Sequence, residues 1–189
     1  MPRILAFAGS ARRDSFNKKL VSAAAEMARE LGAEVTVVDL ADYPMPIYDG
    51  DEESENGHPE ASNKLYQLMK EHDGFLVACP EYNSSITPLL KNTIDWVSRT
   101  RDAEPPLVAF TGKVVALLSA SPGALGGMRG LVHVRSIFGN IGAFVIPRQA
   151  TIPNASKTLS DEGISDDNLK GRVKDVVAQL VETASALAK

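Results

Sequence analysis

One cysteine, Cys79, is all the thiol chemistry in this 189-residue chain. No internal disulfide can form, which fits a reducing compartment. No apolar run approaches the roughly 18 residues that a membrane-spanning helix needs. Met1-Pro2-Arg3 leads straight into a strand-like run, with no signal-peptide core. The expectation is a cytoplasmic protein with no membrane partner. Excess positive charge is also missing: the formal net charge is -4 and the basic residues are scattered, so nucleic acid is not an expected partner. His58, His72 and His133 are dispersed, and no metal-ligand spacing appears. The chain has no internal repeat and no low-complexity linker. Two phosphate-binding signatures are absent as well. The first apolar run is not followed by G-x-G-x-x-G, and no G-x-x-x-x-G-K-[ST] occurs, which argues against a dinucleotide fingerprint and a Walker-type loop.

What is present is an alternation. With 44% hydrophobic and 23% charged residues, the composition is that of an ordinary globular protein, and the length suits one domain over residues 1–189 with a sizeable core. Five apolar runs have strand length: Ile4–Ala8, Val35–Val38, Gly74–Cys79, Val114–Leu118 and Ala143–Ile146. They are nearly continuous, as in strands buried on both faces. Helical patterns separate them. Leu20, Ala24, Met27 and Leu31 recur at helical spacing, with Gly32 placed to end the stretch. Residues 60–72, 88–99 and roughly 125–140 read as three more helices. A last helix, capped by Ser165 or Asp166, aligns Leu169, Val173, Val176, Val177 and Leu180 on one face. Strands alternating with helices predict a doubly wound parallel sheet. Ligands of such sheets bind beyond the carboxyl ends of the strands, so the residues after strands one, three and four matter most.

The first of these loops runs from Gly9 to Asn17. Gly9 permits a sharp turn and close approach to a ligand. Ser10, Ser15 and Asn17 offer short hydrogen-bonding groups, and Ser15 can instead cap the next helix. Arg12 can grip a phosphate through two N–H groups. A helix N-terminus is worth about 0.3–1 kcal/mol to an anion, against about 1.5–3 kcal/mol for a charge-assisted hydrogen bond, so the arginine and hydroxyls would dominate. A capped helix with solvated arginines is the structural alternative. A hydroxyl-rich loop suits a terminal monophosphate, and FMN at the end of such a sheet is a known pattern. The second loop spans Pro80 to Pro88. Pro80 stops the strand, and Thr87-Pro88 reads as N-cap and first helical residue. Tyr82 can face a flat ring, while Asn83 and main-chain groups can read a ring edge. Glu81 would repel a reduced, anionic flavin, so its carboxylate is expected to point away, to Arg12 or to the backbone. The third loop, Ser119 to Arg129, is rich in small residues whose main-chain N–H groups can face flavin N1 and O2. An ordinary strand-to-helix connection is the alternative for both.

The loops "GSARRDSFN", "PEYNSSITPLLKNTIDW" and "SASPGALGGMRG", in this order, resemble the NADPH-dependent FMN reductase family. That family includes quinone, chromate and azo reductases of the flavodoxin superfamily. The resemblance runs from about residue 3 to residue 147, and "PEYN" with "LKNTIDW" is its most specific part. It implies a flavodoxin-like five-stranded sheet of order 2-1-3-4-5. It implies FMN phosphate on Ser10, Arg12, Ser15, Phe16 and Asn17, the flavin ring on Pro80, Glu81, Tyr82 and Asn83, and Ser119, Ser121 and Gly123 near that ring. The implied reaction is hydride transfer from NADPH (or NADH) to the flavin, then reduction of a small-molecule electron acceptor: a quinone, azo compound, free flavin or metal oxyanion. No side chain need act as an essential acid or base. Family members are usually homodimers or homotetramers, and the helix bearing Leu89, Leu90, Ile94 and Trp96 would form much of the dimer interface. The region Tyr43–Tyr48 would lie near the partner subunit.

Other features read more plainly. The charge run Asp49–Glu53 is expected to be a solvated loop, and Cys79 a small buried residue. Arg129 and Arg135 either reach a nicotinamide-nucleotide phosphate or sit at a surface or interface. Two competing functions remain. An electron carrier between proteins is usually strongly acidic, and -4 is mild. A receiver-like domain needs an aspartate ending a strand, and none follows strand three.

Overall fold

A computed structural model describes residues 1–101 and 104–188. In chain order its elements are β1 (Arg3–Ala8), α1 (Phe16–Glu30), β2 (Glu34–Val38), α2 (Gly50–Asn56), α3 (Glu60–Glu71), β3 (Gly74–Ala78), α4 (Pro88–Val97), β4 (Val114–Ala120), α5 (Met128–Asn140), β5 (Phe144–Ile152), α6 (Ala155–Thr158), β6 (Leu159–Ser160), β7 (Gly163–Ile164) and α7 (Asp167–Leu187). The first five strands form one parallel sheet of order β2-β1-β3-β4-β5. This is the flavodoxin-like order expected from the sequence.

Alternate residues of each central strand serve opposite faces. Ile4, Ala6 and Ala8 of β1 join a core with Leu20, Ala24 and Ala28 of α1 and Val173, Val177 and Leu180 of α7. Leu5 and Phe7 join a second core with Leu65 and Met69 of α3, Leu90 and Ile94 of α4, and Leu131 and Phe138 of α5. Burial on both faces explains why the strands read as unbroken apolar runs. The helix stops are local. Gly32 follows α1 with φ +85°, a conformation costly for any residue with a Cβ. The Asp166 carboxylate accepts the Leu169 N–H at the start of α7, which decides between the two expected caps.

Several expectations need correction. Asp49–Glu53 opens a helix, not a loop. Asp49 caps it by accepting the Asp51 N–H, and Asp51, Glu52 and Glu53 stand at its positive end. β4 continues through Ser119 to Ala120, and β5 reaches Ile152 past a register shift opposite Val115–Leu117. The β6–β7 hairpin and α6 were not legible as elements.

Leu90, Ile94 and Trp96 were expected at a dimer interface, yet each is buried within its own chain. Leu90 and Ile94 pack into the core against the sheet, and Trp96 is covered by the segment before α2. Trp96 Nε1 donates to the Pro46 carbonyl at 2.8 Å, Asn92 Nδ2 donates to the same oxygen at 2.8 Å, and the Tyr48 N–H donates to Asn92 Oδ1 at 2.8 Å. The Tyr48 ring meets Trp96 edge-on at 5.1 Å. The "LKNTIDW" helix therefore pins residues 46–48 along its Asn92–Trp96 side. Trp96→Phe is expected to lower stability by about 1–2 kcal/mol, one hydrogen bond plus a small cavity. Urea unfolding would test this; a change within about 0.3 kcal/mol would contradict the anchoring role.

Candidate functional site

Three chain segments meet beyond the carboxyl ends of β1, β3 and β4. Gly9 leaves β1 with its N–H on the Ala78 carbonyl at 2.9 Å. Thr87 Oγ1 donates to the Gly9 carbonyl at 2.8 Å and accepts the Leu90 N–H at 3.2 Å. The expected N-cap of α4 thus also ties the second loop to the first, a contact the spacing did not suggest. Gly9 serves packing: a Cβ there would stand 3.0 Å from the Leu90 Cβ.

A cavity of about 90 Å³ lies among these segments, lined by Ser10, Arg12, Ser15, Phe16, Asn17, Pro80, Glu81, Tyr82, Ala120, Ser121 and Pro122. Most of the residues expected to bind the cofactor are therefore brought together. Asn83, Ser119 and Gly123 are not among the lining residues, while Ala120 and Pro122, not singled out beforehand, are. Drug-sized ligand pockets run to about 300–1,000 Å³, so this cavity has room for a small group such as a phosphate and not for a whole cofactor. A wider cavity of about 780 Å³ lies between α1 and the β6–β7 turn. Its walls mix cations and anions, with Lys19 paired to Asp161 across it, so it presents no convergent set of donors.

The donors of the smaller cavity do converge. Ser15 occupies the N-cap position of α1, is buried, and makes no side-chain cap bond. The first N–H groups of a helix have no partner within it, so this uncapped end aims donors at the cavity. Ser10 is buried, and its Oγ accepts the Arg12 N–H at 3.3 Å. Arg12 is exposed at the rim. Two hydroxyls, a guanidinium and an open helix N-terminus suit a phosphate dianion. By this donor set, the residues fit the phosphate of FMN.

Asn17 lines the cavity, but its side chain is engaged within the chain. Its Nδ2 donates to the Ala120 carbonyl at 2.9 Å, and its Oδ1 accepts the Ala120 N–H at 2.9 Å. The buried side chain clamps α1 to the end of β4, leaving its main-chain N–H for a ligand. Ser119 is wholly buried in β4, and its hydroxyl donates to the Cys79 carbonyl at 2.7 Å. It locks two strands and does not face the cavity. Ser121 Oγ accepts the Gly123 N–H at 3.1 Å, which shapes the third loop. Cys79 is fully buried, and burial pushes its thiol pKa far up; it is inert packing.

The second loop is a tight hairpin. Tyr82 and Ser85 exchange main-chain hydrogen bonds at 3.0 Å, and Asn83 and Ser84 between them have φ +50° and +66°. Two positive φ values mark a type I′ turn. Asparagine tolerates this conformation; serine pays more for it. The turn holds Tyr82 at the cavity edge, 47% exposed. Ser84→Gly is expected to raise stability by about 0.5–1 kcal/mol, since relief of strain exceeds glycine's added unfolded-state entropy. A lower midpoint in thermal or urea unfolding would contradict this.

Glu81 stands in the cavity wall, and its carboxylate is held by the backbone, one of the two expected partners, and by Arg129 in place of Arg12. It accepts hydrogen bonds from Arg129 Nη2 at 2.6 Å and from the Arg129 N–H at 2.9 Å. Arg135 donates to the Val145, Ile146 and Pro147 carbonyls and to Gln149 Oε1 of β5. Both arginines are thus engaged within the chain.

Comparison with known proteins agrees with this geometry. The family model for NADPH-dependent FMN reductase matches residues 2–157. An NAD(P)H:quinone oxidoreductase of Solanum tuberosum is 34% identical over 191 residues, covering 98% of this chain and 94% of its own. A quinone reductase of Escherichia coli (strain K12) is 33% identical over 147 residues, 76% of this chain and 73% of its own. In fold, a flavoenzyme NAD(P)H:(acceptor) oxidoreductase from Paracoccus denitrificans superposes with a TM-score of 0.82 at 24% identity, with 98% of each chain covered.

Proposed function

This chain belongs to the NADPH-dependent FMN reductase family, and from that premise we propose how its loops serve the reaction. The protein is an FMN-dependent NAD(P)H oxidoreductase. When bound, FMN supplies the redox chemistry, accepting hydride from NAD(P)H and passing electrons to the acceptor. Membership in this family argues against an electron carrier and a receiver-like domain. The observation that carries the reading is the cavity at the ends of β1, β3 and β4, where an uncapped helix, two buried hydroxyls and Arg12 converge.

Ser10, Arg12, Ser15 and the main-chain N–H groups of Phe16 and Asn17 bind the phosphate. Pro80 and Tyr82 would border the flavin ring, and the positive-φ turn at Asn83 and Ser84 holds Tyr82 at the cavity edge. Ser121 and Pro122 of the third loop complete the wall of the cavity, but the Ser121 and Gly123 N–H groups are already taken by the Ile152 carbonyl and the Ser121 hydroxyl. No side chain of the cavity is required as an acid or base. Acceptors are small molecules of the kinds reduced by the family: quinones, azo compounds, free flavins and metal oxyanions.

The whole chain works as one FMN-binding domain, in the cytoplasm, as a homodimer or homotetramer. No helix among the described residues is long and apolar enough to cross a membrane. An oligomer would use side chains the single chain leaves exposed, among them Leu125, Met128 and Val132 at the start of α5, in place of Leu90, Ile94 and Trp96.

The test is an absorption spectrum of the purified protein with FMN, followed by anaerobic NADPH or NADH. Bound flavin that bleaches with either one supports the oxidoreductase reading. FMN that binds but stays oxidised with both would favour a carrier. No binding would overturn the site assignment.

A further inference from the structure

We propose that Glu81 is a charge-balancing positioning residue. Its carboxylate cancels the positive end of α5 and the Arg129 guanidinium beside the cleft, and thereby sets how much more tightly the chain holds reduced than oxidised FMN. The inference rests on the FMN reading above.

The α5 helix has no side-chain cap of its own, because its N-cap is Gly127, with φ +85°. Glu81 supplies the cap from the second loop. One carboxylate oxygen, Oε2, accepts the N–H groups of Arg129 at 2.9 Å and Gly130 at 3.1 Å. The other, Oε1, accepts Arg129 Nε at 2.9 Å and Nη2 at 2.6 Å. Two glycines let the loop come this close. A Cβ on Gly130 would stand 3.2 Å from the Ser85 carbonyl oxygen, and one on Gly127 would collide with the Ser119 side chain. The Glu81 side chain is only 8% exposed, while that of Arg129 is 57% exposed, so solvent screens the guanidinium more than the carboxylate. Burial by itself pushes the Glu81 pKa up. The Arg129 and Gly130 hydrogen bonds and the Arg129 charge together outweigh it, leaving the carboxyl below its usual range and ionised.

Glu81 lines the cavity, and its charge offsets most of that of the two groups bonded to it. Arg129 contributes one positive charge, the helix end about half of one, and Glu81 one negative. FMN takes up two electrons and one proton on reduction to its anionic form, so the ring gains one negative charge. Removing the Glu81 charge leaves the wall positive and favours the reduced ring. Removing the Arg129 charge leaves the wall negative and disfavours it. A purely mechanical clamp would act on both redox states alike.

The experiment measures dissociation constants for oxidised FMN and for dithionite-reduced FMN in the wild type, Glu81→Gln and Arg129→Gln. The ratio of reduced to oxidised affinity is expected to rise about three- to tenfold in Glu81→Gln and to fall in Arg129→Gln; tenfold corresponds to about 30 mV for a two-electron couple. Circular dichroism confirms folding. If Glu81→Gln does not fold, Arg129→Gln against Arg129→Lys carries the test: the ratio falls in the first and stays near wild type in the second. Ratios that do not move, or that move in the same direction in both glutamine variants, overturn the proposal while leaving the FMN reading intact. A wild type that binds FMN in neither state overturns both.

Discussion

Asn17→Ala is expected to cost about 2–4 kcal/mol of folding stability, because it leaves two buried main-chain groups without partners. Both hydrogen bonds of this side chain go to one residue, Ala120, whose carbonyl and N–H each stand 2.9 Å from it. Asn17 thus pairs with the last residue of β4 as a neighbouring strand would. Alanine suits a helix better than asparagine by up to about 0.7 kcal/mol, which offsets a fraction of the loss. The substitution should also weaken FMN binding, since α1 would no longer hold its open end against the third loop. Urea unfolding reads the first effect as a lower midpoint at unchanged slope. A loss below about 1 kcal/mol would mean that water replaces the clamp without penalty.

This residue also shows where sequence reading stops. Asn17 stood out as a small polar group beside an expected phosphate site, and its type and place fitted a ligand contact. Nothing along the chain reveals that its partner is Ala120, because the pairing depends on how α1 lies across the sheet. Ser119 has the same history: a hydroxyl at the end of an apolar run that bonds the Cys79 carbonyl of the adjacent strand. The sheet was legible because burial on both faces leaves its mark in consecutive residues, and strand order followed from family resemblance. The phosphate cradle was legible because Ser10, Arg12 and Ser15 are close in sequence and act locally. Glu81 was half legible. Repulsion from a reduced flavin required its charge to be engaged elsewhere, but its partner Arg129 lies in α5, far along the chain. The α2 helix was missed because its residues are all polar or acidic, with no buried face to generate a period.

Arg12→Ala is expected to raise the dissociation constant for FMN about 10- to 100-fold, the equivalent of one charge-assisted hydrogen-bonding group at about 1.5–3 kcal/mol. Folding should be untouched: the side chain is exposed, and the bond from this residue to Ser10 Oγ, at 3.3 Å, comes from its main-chain N–H. Exposure also limits the effect, since solvent screens a rim charge, and the wild-type affinity should fall with added salt more steeply than the variant's. Arg13→Ala is the control. Arg13 is also exposed but lines the separate cavity beside α1, so it shares the long-range charge without the contact and should change affinity by less than about threefold. Arg12→Lys separates charge from geometry. An ammonium keeps the charge but cannot present two parallel N–H groups to phosphate oxygens, so its affinity should fall between wild type and alanine. Equal losses in Arg12→Ala and Arg13→Ala would make the loop a diffuse positive field. An unchanged constant in Arg12→Ala would leave the open end of α1, with Ser10 and Ser15, as the whole of the phosphate site.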